Sequence, residues 1–191
     1  MANAANHRIR DDYQHYLSVV NGLKTIQSTV TLRKGGANNA NWSGATVEIQ
    51  HESVTQPIQF FAEKNVKHPT NYKFKLLAAH LAQEPVLRFD SDGASHRNDL
   101  DNIPLPERQV TTPHFHRFNE DGIGIAYKTD VLNSNGDAAA IVADANFGMA
   151  HFATEANLND GRGNAPTLQD DEHVLLPPEV NQDPVAGVNF E

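Results

Sequence analysis

Residues 72–76 read Tyr-Lys-Phe-Lys-Leu, and this strict alternation constrains the fold more than any other stretch of the chain. Successive side chains of a strand point to opposite faces, so Tyr72, Phe74 and Leu76 share a face to be buried while Lys73 and Lys75 share the other. Other short runs repeat the signal. Residues 29–32 are rich in β-branched residues and end at the turn signal Gly35-Gly36; residues 46–49 alternate after an Asn-rich loop and Trp42. Residues 58–61 and 86–89 are further candidates, the latter closed by Ser91-Asp92-Gly93. Residues 113–118 and 122–127 read as the arms of a hairpin turning through Asn119-Glu120-Asp121-Gly122.

Two helices accompany the strands. The first is predicted over about 10–26, capped by Asp11 or Asp12, with Tyr13, Tyr16, Leu17, Val20 and Leu23 on one face. The second is predicted over about 137–156 with Asp137 as its cap. Ile141, Ala145, Gly148, Met149 and Phe152 form its stripe, which Gly148 weakens. The expected fold class is α+β: a mostly antiparallel sheet packed by an N-terminal helix and a later helix. The predicted domain spans 1–156, followed by an extended, acidic, Pro-containing C-terminal arm over 157–191, ordered only if it lies against the body or a neighbouring subunit. Residues 1–6 are small and polar and are expected to fray.

Charge is unevenly distributed. Residues 1–128 hold 14 Lys and Arg against 13 Asp and Glu, whereas residues 129–191 hold Arg162 alone against 11 acidic residues. Two readings compete: a solvated acidic surface, or an arm that covers a basic groove on the first two thirds. The absence of cysteine excludes disulfides, thiolate metal sites and cysteine nucleophiles. The stretch MANAANHRIRDDYQ lacks the apolar centre of a secretory signal, and no run approaches the roughly 20 apolar residues that cross a bilayer, so a soluble, cytoplasmic protein without membrane contact is expected.

The chemically dense stretch is 90–127. His114 and His116 are two apart on a predicted strand and project to one face, with Phe115 and Arg117 opposite. Such a pair presents two imidazoles to one divalent metal, with His96 as a third ligand and Asp90, Asp92 or Asp99 as carboxylate donor. Without a metal, His96, Arg97, Asn98, His114 and His116 are candidates for binding a small anion or nucleotide, and strand histidines also serve plain packing. The pairs Asp90/Asp92 and Asp99/Asp101 offer acid–base chemistry but suit turns better. No Walker loop, dinucleotide fingerprint or nucleophile elbow is present, and Ser95 beside His96 is adjacency only. Lys64, Lys67, His68, Lys73 and Lys75 interleave with Phe60, Phe61, Tyr72 and Phe74 as a nucleic-acid surface would, although the aromatic spacing favours a core face.

Arg88-Phe89-Asp90, Gly93, His96-Arg97-Asn98, Pro113-His114-Phe115-His116 and Ala126-Tyr127 together resemble a small uncharacterised family of bacterial genomes and mobile elements. That family shows an Arg-x-Asp strand, a Gly-x-x-His-x-Asn turn, a Pro-His-x-His strand and a Gly…Ala-Tyr strand. The resemblance implies that His96, Asn98, His114 and His116 form one unit, and it carries no assigned activity. The chain departs from the pattern by a longer insertion between Asn98 and Pro113 and by the acidic arm. The favoured reading is a non-catalytic binding or interaction protein with a protein partner or a second copy of itself; the alternative is a metal-dependent hydrolase using the His cluster, with a phosphodiester as one candidate substrate, and a further alternative is nucleic-acid binding over 64–75.

Overall fold

The computed structural model describes residues 5–27, 29–35, 39–100, 103–105 and 108–171. The chain opens with α1 (His7–Asp11) and α2 (Tyr13–Asn21), then β1 (Lys24–Thr25), β2 (Val30–Lys34), β3 (Trp42–His51), β4 (Ile58–Asn65), β5 (Tyr72–Leu77) and β6 (Leu87–Asp90). It continues through β7 (His96–Arg97), β8 (Gln109–Val110), β9 (His114–Phe118) and β10 (Gly124–Tyr127). Next come α3 (Asp130–Asn133), α4 (Asn135–Ala143) and α5 (Ala145–Glu155), and the described part closes with β11 (Leu158–Asn159) and β12 (Leu168–Asp170). The expected α+β class with a mostly antiparallel sheet is what the chain forms.

Ten strands make one curled sheet in the order β10-β9-β6-β5-β4-β3-β1-β11, with β2 also on β3 and β12 on β2. Strand β3 is long enough to fork its edge: Ser43 and Gly44 pair with β2, while Gln50 and His51 pair with β1. Strands β7 and β8 form a separate two-stranded ladder.

The alternation of β5 sorts as its sequence predicts. Tyr72, Phe74 and Leu76 are buried, and the rings of Phe60, Phe74, Phe89, Phe115 and Phe152 pack with centroid separations of 5.0–6.2 Å. Phe152 brings α5 onto this face. Gly148 earns its place there, because a Cβ on it would run into the Tyr72 ring, whose hydroxyl donates to the Ile141 carbonyl. The other face carries polar rows. Lys75 Nζ bonds Glu63 at 2.8 Å and lies 4.7 Å over the Phe61 ring, and Lys73 Nζ sits 5.6 Å over Trp42. Phe61 therefore belongs to the polar face, while Phe60, Tyr72 and Phe74 belong to the core.

The helices differ from expectation in extent. Asp12, at φ −138°, caps α2 as its sequence suggests, accepting from the His15 amide, and also ends α1, a short helix that lies mostly ahead of the predicted one. Helix α2 stops at Asn21, where the buried Lys24 amino group donates to the last-turn carbonyl of Val20 and to that of the C-cap Gly22. Leu23, expected on the helical stripe, is past the end and exposed, and Val19 takes its place in the core. Asp144 divides 137–156 into α4 and α5, its side chain accepting from the Asn146 amide. Beyond residue 156, β11 adds to β1 and β12 to β2, both parallel, so the acidic stretch lies against the body as far as it is described. There Lys64 Nζ meets Asp170 at 2.6 Å and Arg33 meets Asp171 at 3.6 Å. The remainder of the expected arm, 172–191, and Gly36, Asp101 and residues 1–4 lie outside the described residues. No described helix is long and apolar enough to cross a membrane.

Candidate metal centre

The centre is built on β6 and β9, antiparallel neighbours whose register sets Asp90 opposite His114 and Arg88 opposite His116. Residues two apart share a face, so all four side chains project from the polar side, while Leu87, Phe89 and Phe115 enter the core. Across β10, Ala126 is the residue opposite His116, and it is buried.

Asp90, His114 and His116 converge. His114 Nε2 is 2.8 Å from His116 Nε2, His116 Nε2 is 3.2 Å from Asp90 Oδ2, and His114 Nε2 is 3.7 Å from that oxygen. Arg88 Nη2 donates to Asp90 Oδ2 at 2.6 Å and to His116 Nε2 at 2.9 Å. One imidazole nitrogen carries either one proton or one lone pair, and Arg88 is a donor only. His116 Nε2 is therefore the acceptor, and three polar atoms crowd its single lone pair. Asp90 Oδ1 and His114 Nδ1 are buried with no hydrogen-bond partner.

Burial pushes His114 down to about 4, with the His116 imidazole adding to the effect, so His114 is neutral at pH 7 and has a lone pair to offer. At Asp90 burial acts to raise the carboxyl, but the neighbouring His116 ring and the Arg88 guanidinium outweigh it and hold the group below its ordinary value. Burial, helped by His116 and Arg88, also lowers His96.

Asp90, His114 and His116 can hold a metal ion. A point equidistant from their three ligand atoms lies about 1.9 Å from each in the plane of the atoms, and a small displacement out of that plane gives the 2.0–2.1 Å of zinc–imidazole bonds. Two histidines, one carboxylate and an open fourth position is a donor set found at catalytic zinc.

The other predicted residues fall around this group. His96, on β7, sets its ring edge-on to His116 with centroids 4.9 Å apart and stands outside the three-ligand set. Asn98 is buried and bonds the edge of β10, accepting from the Ala126 amide and donating to its carbonyl, both at 2.8 Å. It thereby holds the β7 strand over the centre. Arg97 points elsewhere, to Asp99 at 2.8 Å on the surface. Asp92 is exposed and accepts from the Gly93 amide, a turn role. Ser95 accepts from Gln109.

Sequence reasoning overlooked Arg88 as a site residue, although the period of two that unites His114 with His116 also unites Arg88 with Asp90. It had no signal for the pocket of about 490 Å³ beside the centre, where Arg88, His96 and His116 meet Glu84, Pro85 and Phe118. Those walls come from segments distant in the chain. Three of the four lysines of 64–75 have partners: Lys64 on Asp170, Lys75 on Glu63, and Lys73 over Trp42. No family model, curated protein or solved structure matches the chain, so its resemblance to the small bacterial family rests on the quoted residues alone.

Proposed function

We propose that Asp90, His114 and His116 bind one divalent transition-metal ion, of the zinc class, and that the chain is a metal-dependent hydrolase working in the adjoining pocket. The observation that carries this reading is the convergence of three ligand atoms within 3.7 Å, on the buried Asp90 and His114 and the half-buried His116, with more polar groups aimed at one imidazole lone pair than it can serve. In such a site the ion polarises the scissile group and makes its water a nucleophile near neutral pH. Asp90 and the two imidazoles fix the ion on rigid, paired strands. Asn98 keeps His96 at the pocket wall, within reach of a leaving group.

Metal analysis of protein purified without a histidine tag tests the reading. About one equivalent of zinc, manganese or nickel is expected, falling more than about a hundredfold in affinity in His114→Ala and in Asp90→Ala. Metal-dependent cleavage of bis(p-nitrophenyl) phosphate is expected to vanish in the same variants. Substoichiometric metal unchanged by His114→Ala would sink the proposal.

A second reading has an observation of its own, the Arg88 contacts to Asp90 and His116. In it Arg88, His116 and Asp90 form a hydrogen-bonded anchor, and the pocket receives an acidic group of a protein partner without catalysis. The same metal analysis separates the two.

A further inference from the structure

Arg88 holds its donors in an arrangement that a metal ion would upset. Its Nη2 serves Asp90 Oδ2 and His116 Nε2, while its Nε is buried with no partner. The side chain is 36% exposed and borders the 490 Å³ pocket. Asp90 has a spare acceptor in Oδ1, so it can serve two cations at once. His116 Nε2 has one lone pair, and either Arg88 or an ion takes it.

From this exclusivity we infer that Arg88 is a displaceable occupant of the His116 lone pair, and that its fork, once released, binds an oxyanion of the substrate in the pocket beside His96. The inference rests on the metal reading and gives it a substrate class, compounds carrying a phosphoryl-type or carboxylate oxyanion. A guanidinium fork matches such oxygens in a bidentate way. The unpartnered Nε gains a bond in the process. Glu84 is exposed at the pocket wall, where solvent screens its opposition. Arg117 also borders the pocket, but its guanidinium lies 4.5 Å over the Tyr127 ring, so Arg88 is the cation placed to act.

Because the oxyanion stabilises the released position of Arg88 and the ion requires that release, each ligand favours the other by the same factor. The experiment uses Co2+, followed by its visible d–d absorption, with methylphosphonate as the oxyanion probe and the full chain throughout. In the wild type, methylphosphonate tightens Co2+ binding about tenfold, within the range usual for coupled sites. In Arg88→Met, Co2+ binds at least as tightly as in the wild type without probe, since its competitor is gone, and methylphosphonate no longer shifts the titration. His96→Asn keeps Co2+ binding and weakens the response to the probe. The wild-type coupling needs no variant, and circular dichroism of Arg88→Met checks that it folds.

Three results would overturn the inference: a wild-type Co2+ affinity indifferent to methylphosphonate, coupling that survives in Arg88→Met, or Co2+ binding weakened by Arg88→Met with and without the probe. The last would mean that Arg88 only orients Asp90. No Co2+ binding by the wild type would instead remove the metal reading itself, and the inference with it.

Discussion

His114 shows what one buried residue does to the molecule. It is 1% exposed, is held neutral by burial and by its neighbour His116, and its Nδ1 has no partner. In the unfolded chain the imidazole takes a proton near pH 6.5, and in the fold only near pH 4. The unfolded chain therefore binds more protons across that interval, and stability falls as pH drops from about 6.5 toward 4. The expected loss between pH 7.5 and pH 5, in EDTA, is on the order of 2 kcal/mol from this residue. Asp90, with its carboxyl lowered, contributes stability that is lost only at more acid pH, below that window. Urea unfolding at the two pH values measures the effect, and His114→Asn should flatten it; a His114 ring that titrates near 6.5 in the fold would refute it. The pairing of His114 with His116 was legible because the strand period needs only two residues. The depth of His114 was not, because it depends on β6 and on the strands and loops stacked around it.

Asn98 plays its part between elements. It bonds both polar groups of Ala126 on β10, completing the sheet edge with a side chain and fastening the β7–β8 ladder beside it. Asn98→Ala leaves two buried backbone groups unpaired, at a cost of about 1–3 kcal/mol. Amide exchange at Ala126 should quicken markedly while that at Phe74, in mid-sheet, follows only the global change. Equal acceleration at both sites would show that Asn98 merely adds to overall stability. The element scale is also where the sequence was read best and worst. Strands β4 and β5 were plain because one face is wholly buried and the other polar, which forces alternation. The two-residue ladders β1, β7, β8 and β11 have too little length for any period and exist through their partners. Asp12 was readable as a cap because the apolar stripe begins just after it, whereas Asp144 sits inside a run whose apolar spacing continues past it, and there the cap prevailed.

At the scale of the whole molecule the question is what fastens the acidic stretch after residue 156. Two candidates coexist. One is charge: Asp170 on Lys64 and Asp171 on Arg33, with the Asp170 side chain 55% and the Arg33 side chain 80% exposed. The other is burial with backbone pairing: Leu158 and Leu168 are buried, and β11 and β12 each complete a parallel ladder. Exposed ion pairs contribute about 0–1 kcal/mol each, whereas burying a leucine contributes about 1.5–3 kcal/mol before the ladder bonds are counted. Magnitude thus favours burial, and the acidic residues act as a fit to the basic edge and not as its clamp. Relative to a chain ending at residue 171, the double variant Asp170→Asn, Asp171→Asn should lose no more than about 1–2 kcal/mol, and less still at high salt. A chain ending at residue 156 should lose roughly 3–6 kcal/mol from its two leucines alone, lowering its urea midpoint well below that of the double variant. If the two midpoints fall together, charge and not burial holds the stretch, and the basic edge of the sheet depends on its own acidic tail.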